Sequence, residues 1–502
     1  MTTDTLILTL DNDAATARLG ADLAAAAKAG DVFALSGDLG AGKTTLARGF
    51  IRALVGDPVI DVPSPTFTLV QAYEARIPVQ HFDLYRLAGA ADLEELGFDE
   101  ATEDGVALVE WPERAAGRLP VDAIAIELAH EGDGRKATIE APIAAMKRIR
   151  RSLDIRDFLD AAGMAGATRT FLLGDASTRA YETAAIDGLA TRILMNAARQ
   201  PDGPPIRDGK PYSRIAHLAE SVTPFVAIGR ALKAHGFSAP DIYAQDLDRG
   251  LLLIEHLGDG SLLDAQGLPV AERYIAAAEL LAAIHAIDWP RDMEAAPGVA
   301  HHLPDYDHAA LSIETELLLD WYLPAETGRA VRVEDRLAFA AAWRPVFAHL
   351  DGAEKSLVLR DFHSPNIIWR GERAGHDRLG IIDFQDALWG PSAHDVASLA
   401  QDARVTISPE LERTIVEAYC AARVAAGYFD RDSFDAAYAI MAAQRNSKVL
   451  GIFVRLDVRD GKPHYRKHLP RIRDYVARSL AHPALDTVRG FFEHAGIART
   501  KP

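Results

Sequence analysis

The stretch Gly37-Asp38-Leu39-Gly40-Ala41-Gly42-Lys43-Thr44-Thr45 constrains this chain more than any other. An apolar run, Val32 to Leu35, precedes it and predicts a buried strand. The spacing of Leu46, Phe50, Ile51 and Leu54 after it predicts a helix. Strand, glycine loop, Gly-Lys-Thr and helix in that order make a P-loop. Glycines let successive backbone N–H groups turn inward around phosphate oxygens. The helix that follows aims its positive end at the same anion. In such a loop Lys43 reaches the β- and γ-phosphates and Thr44 offers a hydroxyl to Mg²⁺.

The rest of the N-terminal stretch reads as an α/β pattern. Ala14 to Lys28 predicts a helix. Val62-Pro63-Ser64-Pro65 forbids one, and Phe67 to Ala72 then predicts a strand. The alternation of Val79 to Arg86 predicts a strand that carries Asp83 toward a metal-bound nucleotide. Val106 to Val109 is an apolar strand ending in Glu110, the form of a Walker B strand. Alone, Glu110 reads equally as a solvated strand end, and Trp111 as a packed aromatic. Ala123–Leu128 and Lys136–Ala141 predict a hairpin turning at Gly132-Asp133-Gly134.

Four motifs then occur in order: Gly37 to Thr45, Ser64 to Val70, His81 to Arg86, and Glu110-Trp111. Together they resemble TsaE, the ATPase of the bacterial tRNA threonylcarbamoyladenosine machinery. The resemblance covers residues 5–142. It implies an α/β P-loop ATPase fold whose loop, Gly37, Asp38, Leu39, Gly40, Ala41, Gly42, Lys43, Thr44 and Thr45, binds ATP. It implies Thr66 as a switch-loop residue, Thr44, Asp83 and Glu110 on the metal side, and Glu110 and Trp111 beside the nucleotide. It also implies a partner, the TsaD–TsaB heterodimer. The net charge of −18 at pH 7 agrees with an indirect role, because an acidic surface repels a phosphate backbone. Contact with tRNA is thus expected only through that partner.

Ala144 to Ala162 predicts a helix bearing Lys147-Arg148-Ile149-Arg150-Arg151, a basic run that suits nucleic acid but is read first as a solvated face at a domain joint. Beyond it the character changes. Leu172 to Tyr181 predicts strand, small-residue turn and strand. Thr191–Asn196 is a further strand, and Tyr243–Asp246 with Leu251–Glu255 a hairpin. After Gly258-Asp259-Gly260 the sequence reads as helical, from Val270 to Ile287 onward. A small sheet followed by helices predicts an α+β two-lobed kinase-like domain. Its chemistry sits in Val358 to Trp369 and in Gly380 to Asp386. Asp361 can accept the proton of an attacking hydroxyl, while Asn366 and Asp383 ligate Mg²⁺.

These residues resemble the aminoglycoside phosphotransferase superfamily. Gly174 to Tyr181, Asp383 to Pro391, Asp395 to Leu399 and Arg445 to Phe453 narrow the resemblance to the AmgK kinases of cell-wall (peptidoglycan) recycling. Those act on the anomeric hydroxyl of N-acetylmuramate and N-acetylglucosamine. The resemblance implies Ser177 and Arg179 near the phosphates, and Glu255 to Leu257 as the adenine hinge. The strand Arg192-Ile193-Leu194-Met195-Asn196 lacks the lysine many such kinases use, which leaves Arg179 to supply the charge.

The expected division is 1–145, a TsaE-like ATPase domain, and 146–502, a kinase domain for a small-molecule sugar acceptor. A catalytically inactive pseudokinase scaffold, or a kinase for another small alcohol, is the alternative for the second. The single cysteine, Cys420, excludes an intramolecular disulfide and reads as inert core. No apolar run reaches the roughly 18 residues of a membrane span, and the start lacks a basic region followed by an apolar core. A cytoplasmic protein with no membrane contact is expected. His301 to His308 reads as a polar loop or a transition-metal site, and Trp321-Tyr322 as core or a sugar-stacking pair.

Overall fold

The computed structural model describes residues 2–87, 96–115, 117–172, 179–199 and 201–497. The chain forms two compact units, residues 1–196 with 243–246, and residues 197–242 with 247–502.

The first unit begins with β1 (Thr3–Leu10), α1 (Asp13–Ala26), β2 (Val32–Ser36), α2 (Lys43–Val55), β3 (Val70–Tyr73) and β4 (Val79–Asp83). It continues with α3 (Phe98–Glu103), β5 (Val106–Glu110), β6 (Ile124–Glu131), β7 (Gly134–Pro142) and α4 (Ile143–Ala161). The seven strands lie in the order β1-β7-β6-β2-β5-β4-β3. The strand before the phosphate loop is central, parallel to both β5 and β6. Strands so enclosed must be apolar on both faces, and every residue of β5 is buried. The parallel register sets Asp83 opposite Glu110, and Glu110 opposite Leu35. Three strands therefore end side by side where the loop begins, the crevice in which α/β sheets bind ligands.

Helices α1 and α2 pack backbone to backbone. A Cβ on Gly49 would stand 2.1 Å from the Ala17 carbonyl oxygen, and one on Gly20 2.2 Å from that of Leu46. Only hydrogen fits at either position. Gly49→Ala is expected to cost about 1–3 kcal/mol by overpacking, measured by urea unfolding of the whole chain.

Three sequence expectations differ from the structure here. The segment Phe67 to Leu69 is a turn, and the strand starts only at Val70. The Leu69 N–H donates to the Pro65 carbonyl at 2.7 Å, and Leu69 takes φ 65°, which breaks the extended run. Strand β4 stops at Asp83 rather than Arg86, because the Asp83 carboxylate accepts the Tyr85 N–H at 3.0 Å and turns the chain. The basic run on α4 is also not a merely solvated face. Arg148 pairs with Asp31 at 2.6 Å, Arg150 with Asp4 at 3.1 Å, and Arg151 donates to the Asn196 side chain at 2.6 Å.

After α4 come β8 (Thr168–Leu172), β9 (Ala180–Ala185) and β10 (Arg192–Asn196), antiparallel to one another. A buried ion cluster ties them to α1. Asp22 receives Arg156 at 2.9 Å and Arg169 at 3.1 Å, and Arg169 also holds Glu182 at 2.6 Å.

The second unit is mostly helical. It holds the strand Leu251–Glu255, the helix Ala271–His285 and the long helix Arg431–Val458, whose residues 439–447 are all buried. It is not wholly helical past Gly260. Asp292–Ala296 pairs with Val299–His302, Lys355–Val358 with Leu388–Pro391, and Ile367–Trp369 with Leu379–Ile381. These short ladders hold the loops that carry Asp361 and Asp383. Cys420 is buried in the helix Pro409–Ala426. No helix among the described residues is long and apolar enough to cross a membrane.

Candidate functional sites

In the first unit the glycine loop takes the shape the sequence requires. Gly37, Gly40 and Gly42 have φ of 131°, 81° and 105°. A Cβ on Gly37 would meet the Leu128 carbonyl oxygen at 2.2 Å, so this position admits glycine alone. Asp38, Leu39 and Gly40 are exposed at the crest, Ala41 and Lys43 are buried, and Thr44 and Thr45 begin α2 half-buried. The Lys43 ammonium donates to the carbonyls of Gly37 and Asp38 at 2.7 and 2.9 Å. It lies 3.8 Å from the centre of the Trp111 ring. Burial lowers its pKa, against the pull of Glu110, Glu113, Asp83 and Asp38.

Glu110 meets the loop, and Asp83 meets the segment that follows α2. The Thr44 hydroxyl donates to Glu110 Oε2 at 3.1 Å. Asp83 Oδ2 accepts the hydroxyls of Ser64 and Thr66 at 2.5 and 2.6 Å. The prolines on either side of Ser64 thus serve to aim two hydroxyls at one carboxylate. The donor set of Thr44, Asp83 and Glu110 is all oxygen, the chemistry that Mg²⁺ takes.

Two residues of this site were not singled out from sequence. Fully buried His81 holds Glu110 Oε1 through Nε2 at 3.0 Å. Arg135 on β7 donates from Nε to the Ala41 carbonyl at 3.0 Å. His81 stands in the same motif as Asp83, two residues away on one face of β4, and that alternation was its available signal. Arg135 carried none, lying 94 residues from its partner.

In the second unit Asp361, Asn366 and Asp383 converge. Asn366 Nδ2 donates to the Asp361 backbone carbonyl at 2.9 Å and to Asp383 Oδ2 at 3.3 Å. Gln385 holds the other Asp383 oxygen at 2.8 Å. Asp383 and Arg360 both have positive φ, 61° and 72°, a strained conformation for non-glycine residues.

Buried acids fasten the Asp361 loop at both ends. Asp395 accepts the backbone N–H groups of Leu359 and Arg360 at 2.6 and 2.9 Å. Asp402 accepts that of Ser364 at 2.9 Å. Arg360 is ion-paired to buried Glu314, which also receives Lys448 at 2.8 Å. The Asp361 carboxylate itself hydrogen-bonds to nothing among the described residues. Burial raises its pKa, but Lys448, His363, Arg360 and Arg445 outweigh that and hold it below the usual range. It stays ionised and able to accept a hydroxyl proton.

Asp395 supplies a pH test. Burial pushes its carboxyl up, yet His285 and His394 hold it at about 2. The unfolded value is near 3.9. A depressed folded value gives stability present above about pH 4 and lost as pH falls toward 2. The difference in melting temperature between the natural chain and Asp395→Asn is therefore expected to shrink from pH 5 to pH 2.

The Glu255 carboxylate accepts the Asp241 N–H at 3.2 Å. Leu257 is buried, its side chain 2.9 Å from where a Cβ on Gly380 would stand. Arg179 directly precedes β9, and Ser177 lies outside the described residues. In β10, Leu194 and Met195 are fully buried. The histidine-rich loop does not gather: His302 binds Asp292 at 2.8 Å and His308 binds Asp351 at 3.0 Å. Tyr322 is core, 2% exposed, and Trp321 half-buried.

A P-loop nucleotide fold and a kinase-like phosphotransferase fold thus share one chain. The family model of the threonylcarbamoyl adenosine biosynthesis protein TsaE matches residues 10–138, and that of the phosphotransferase enzyme family matches residues 168–435. The chain belongs to the phosphotransferase enzyme family and carries a TsaE domain ahead of it. It is 36% identical over 348 residues to the N-acetylmuramate/N-acetylglucosamine kinase of Caulobacter vibrioides, covering 67% of this chain and 94% of that one. The TsaE of Bacillus subtilis is 41% identical over 115 residues, 22% of this chain and 70% of that one. The crystal structure of Bacillus subtilis YdiB is 32% identical, covering 31% of this chain and 99% of that one, with a TM-score of 0.27. Both are enzyme families that use ATP.

Proposed function

We propose that the chain is bifunctional, with a TsaE-like ATPase domain at 1–145 and an amino-sugar kinase domain at 146–502. The first supports formation of N6-threonylcarbamoyladenosine in tRNA, working with a TsaD–TsaB complex and touching RNA only through it. Lys43 and the loop Gly37–Thr45 hold the ATP phosphates, Trp111 flanks the nucleotide, and Thr66 reports on Asp83. Thr44, Asp83 and Glu110 hold Mg²⁺, which neutralises phosphate charge when bound. Glu110 also orients the attacking water. The contact between Thr44 and Glu110 carries this assignment, since it sets the strand-end acid on the hydroxyl that faces the metal.

The second domain transfers the γ-phosphate of ATP to the anomeric hydroxyl of N-acetylmuramate or N-acetylglucosamine. Asp361 accepts the hydroxyl proton, Asn366 and Asp383 hold Mg²⁺, and Ser177 and Arg179 hold phosphates. Glu255 and Leu257 form the adenine hinge. The observation that carries this reading is Asn366 joined to both Asp361 and Asp383. The same joining speaks against an inactive scaffold, although the lysine-free strand β10 favours one. We place both activities in the cytoplasm, where ATP and tRNA are found. The test is transfer of labelled phosphate from ATP to a panel of amino sugars by the whole chain. Transfer to N-acetylmuramate or N-acetylglucosamine is expected; ATP binding without transfer to any acceptor would overturn the reading.

A further inference from the structure

The cations near Asp361 are not all accounted for by phosphate transfer. The helix Arg431–Val458 presents Gln444, Lys448 and Arg455 at intervals of four and seven residues, one stripe of a helix. The upper two are spent on buried Glu314: Gln444 Nε2 donates to it at 2.9 Å and Lys448 Nζ at 2.8 Å. Arg360 and the Tyr306 hydroxyl complete that carboxylate.

Arg455 has no such acid. Its Nε is buried without a hydrogen-bond partner, and its guanidinium forms no ion pair and stacks on no ring among the described residues. The charged groups around it are Arg459, Asp460 and the Tyr212 hydroxyl, and Asp460 is occupied by Arg459 at 2.7 Å. Tyr212 in turn packs against Ile215, Ala216 and Ile313, and Ile313 stands next to Glu314, the partner of Arg360. One residue thus links Arg455 to the surroundings of Asp361. Arg455 lies two helical turns, about 10 Å, beyond Lys448 along the axis. A guanidinium left unpaired in a half-buried place is costly unless an anion arrives. Its planar fork fits a carboxylate in two parallel hydrogen bonds.

We propose that Arg455 is the receptor for a carboxylate on the acceptor, so that the kinase domain prefers an acidic amino sugar over its neutral counterpart. This rests on the amino-sugar kinase reading above. A hexosamine with a short acidic side arm presents its reactive hydroxyl to Asp361 and its carboxylate to Arg455. Removing the arginine then weakens binding of the acidic sugar and leaves the neutral one unaffected.

The test is steady-state transfer from ATP by the whole chain to N-acetylmuramate and to N-acetylglucosamine, with natural protein, Arg455→Met and Arg455→Lys. A charge-assisted pair of this kind predicts a rise in KM for N-acetylmuramate of roughly 10- to 100-fold in Arg455→Met. The kcat should stay within a few-fold, KM for N-acetylglucosamine should not move, and Arg455→Lys should recover part of the loss. The natural chain assayed with the carboxamide of N-acetylmuramate should lose a similar factor, and this arm needs no folded variant. Equal losses with both sugars, or a carboxamide used as well as the acid, would overturn the proposal while the kinase reading stands. Transfer to neither sugar by the natural chain overturns both.

Discussion

Asp361→Asn is expected to lower phosphate transfer to an amino sugar by about 10²–10⁴-fold, the usual contribution of a positioned base. The change should act on chemistry and not on folding. The loop around Asp361 is held by Asp395 and Asp402 through backbone N–H groups, and the Asp361 side chain bonds to nothing that an amide would lose. The melting temperature should therefore remain within a degree or two of the natural chain's. Because the chain carries domains of two ATP-using families, loss of ATP is an ambiguous signal. The readout is the phosphorylated sugar itself, alongside inorganic phosphate release, which should not change. A sugar-kinase rate within tenfold of the natural one would remove Asp361 from the catalytic role.

The complementary experiment is Glu110→Gln. Glutamine can keep both contacts of Glu110, accepting from Thr44 and meeting the ring of His81. It removes only the charge that orients water and metal. Inorganic phosphate release, measured with the TsaD–TsaB heterodimer present, is expected to fall about 10²-fold or more, with ATP still bound. Sugar phosphorylation should be untouched. Together the two variants form a double dissociation, which assigns each activity to its own half of the chain. A Glu110→Gln protein releasing phosphate at the natural rate would overturn the assignment of Glu110.

Both sites were readable to the extent that their parts are close in sequence or stand at strand ends. The loop Gly37–Thr45 is nearly its own explanation, since glycine conformations and helix start follow from local rules. Asp83, Glu110 and Asp383 could be named because an acid closing an apolar strand is a recognisable arrangement. The supports were not readable. Asp395 reaches Leu359 across 36 residues, and Gln444 reaches Glu314 across 130. Nothing in helical periodicity says which buried polar residue will meet which. Arg148 and Arg150 looked solvated because their acids, Asp31 and Asp4, stand more than a hundred residues earlier. The strand placed at Phe67 failed for a local reason: β-propensity lost to a turn closed on Pro65.

The ion cluster at Asp22 bears on how the two halves can be separated in the laboratory. A protein cut at residue 145 would keep Asp22 within its helix yet discard Arg156 and Arg169, the two arginines paired with it, and would open the apolar core that Met146 and Ile149 help to close. Such a fragment should be poorly soluble even with an intact phosphate loop. A cut placed after Asn196 keeps the counterions, so the ATPase half is best isolated with the first three strands of its neighbour still attached.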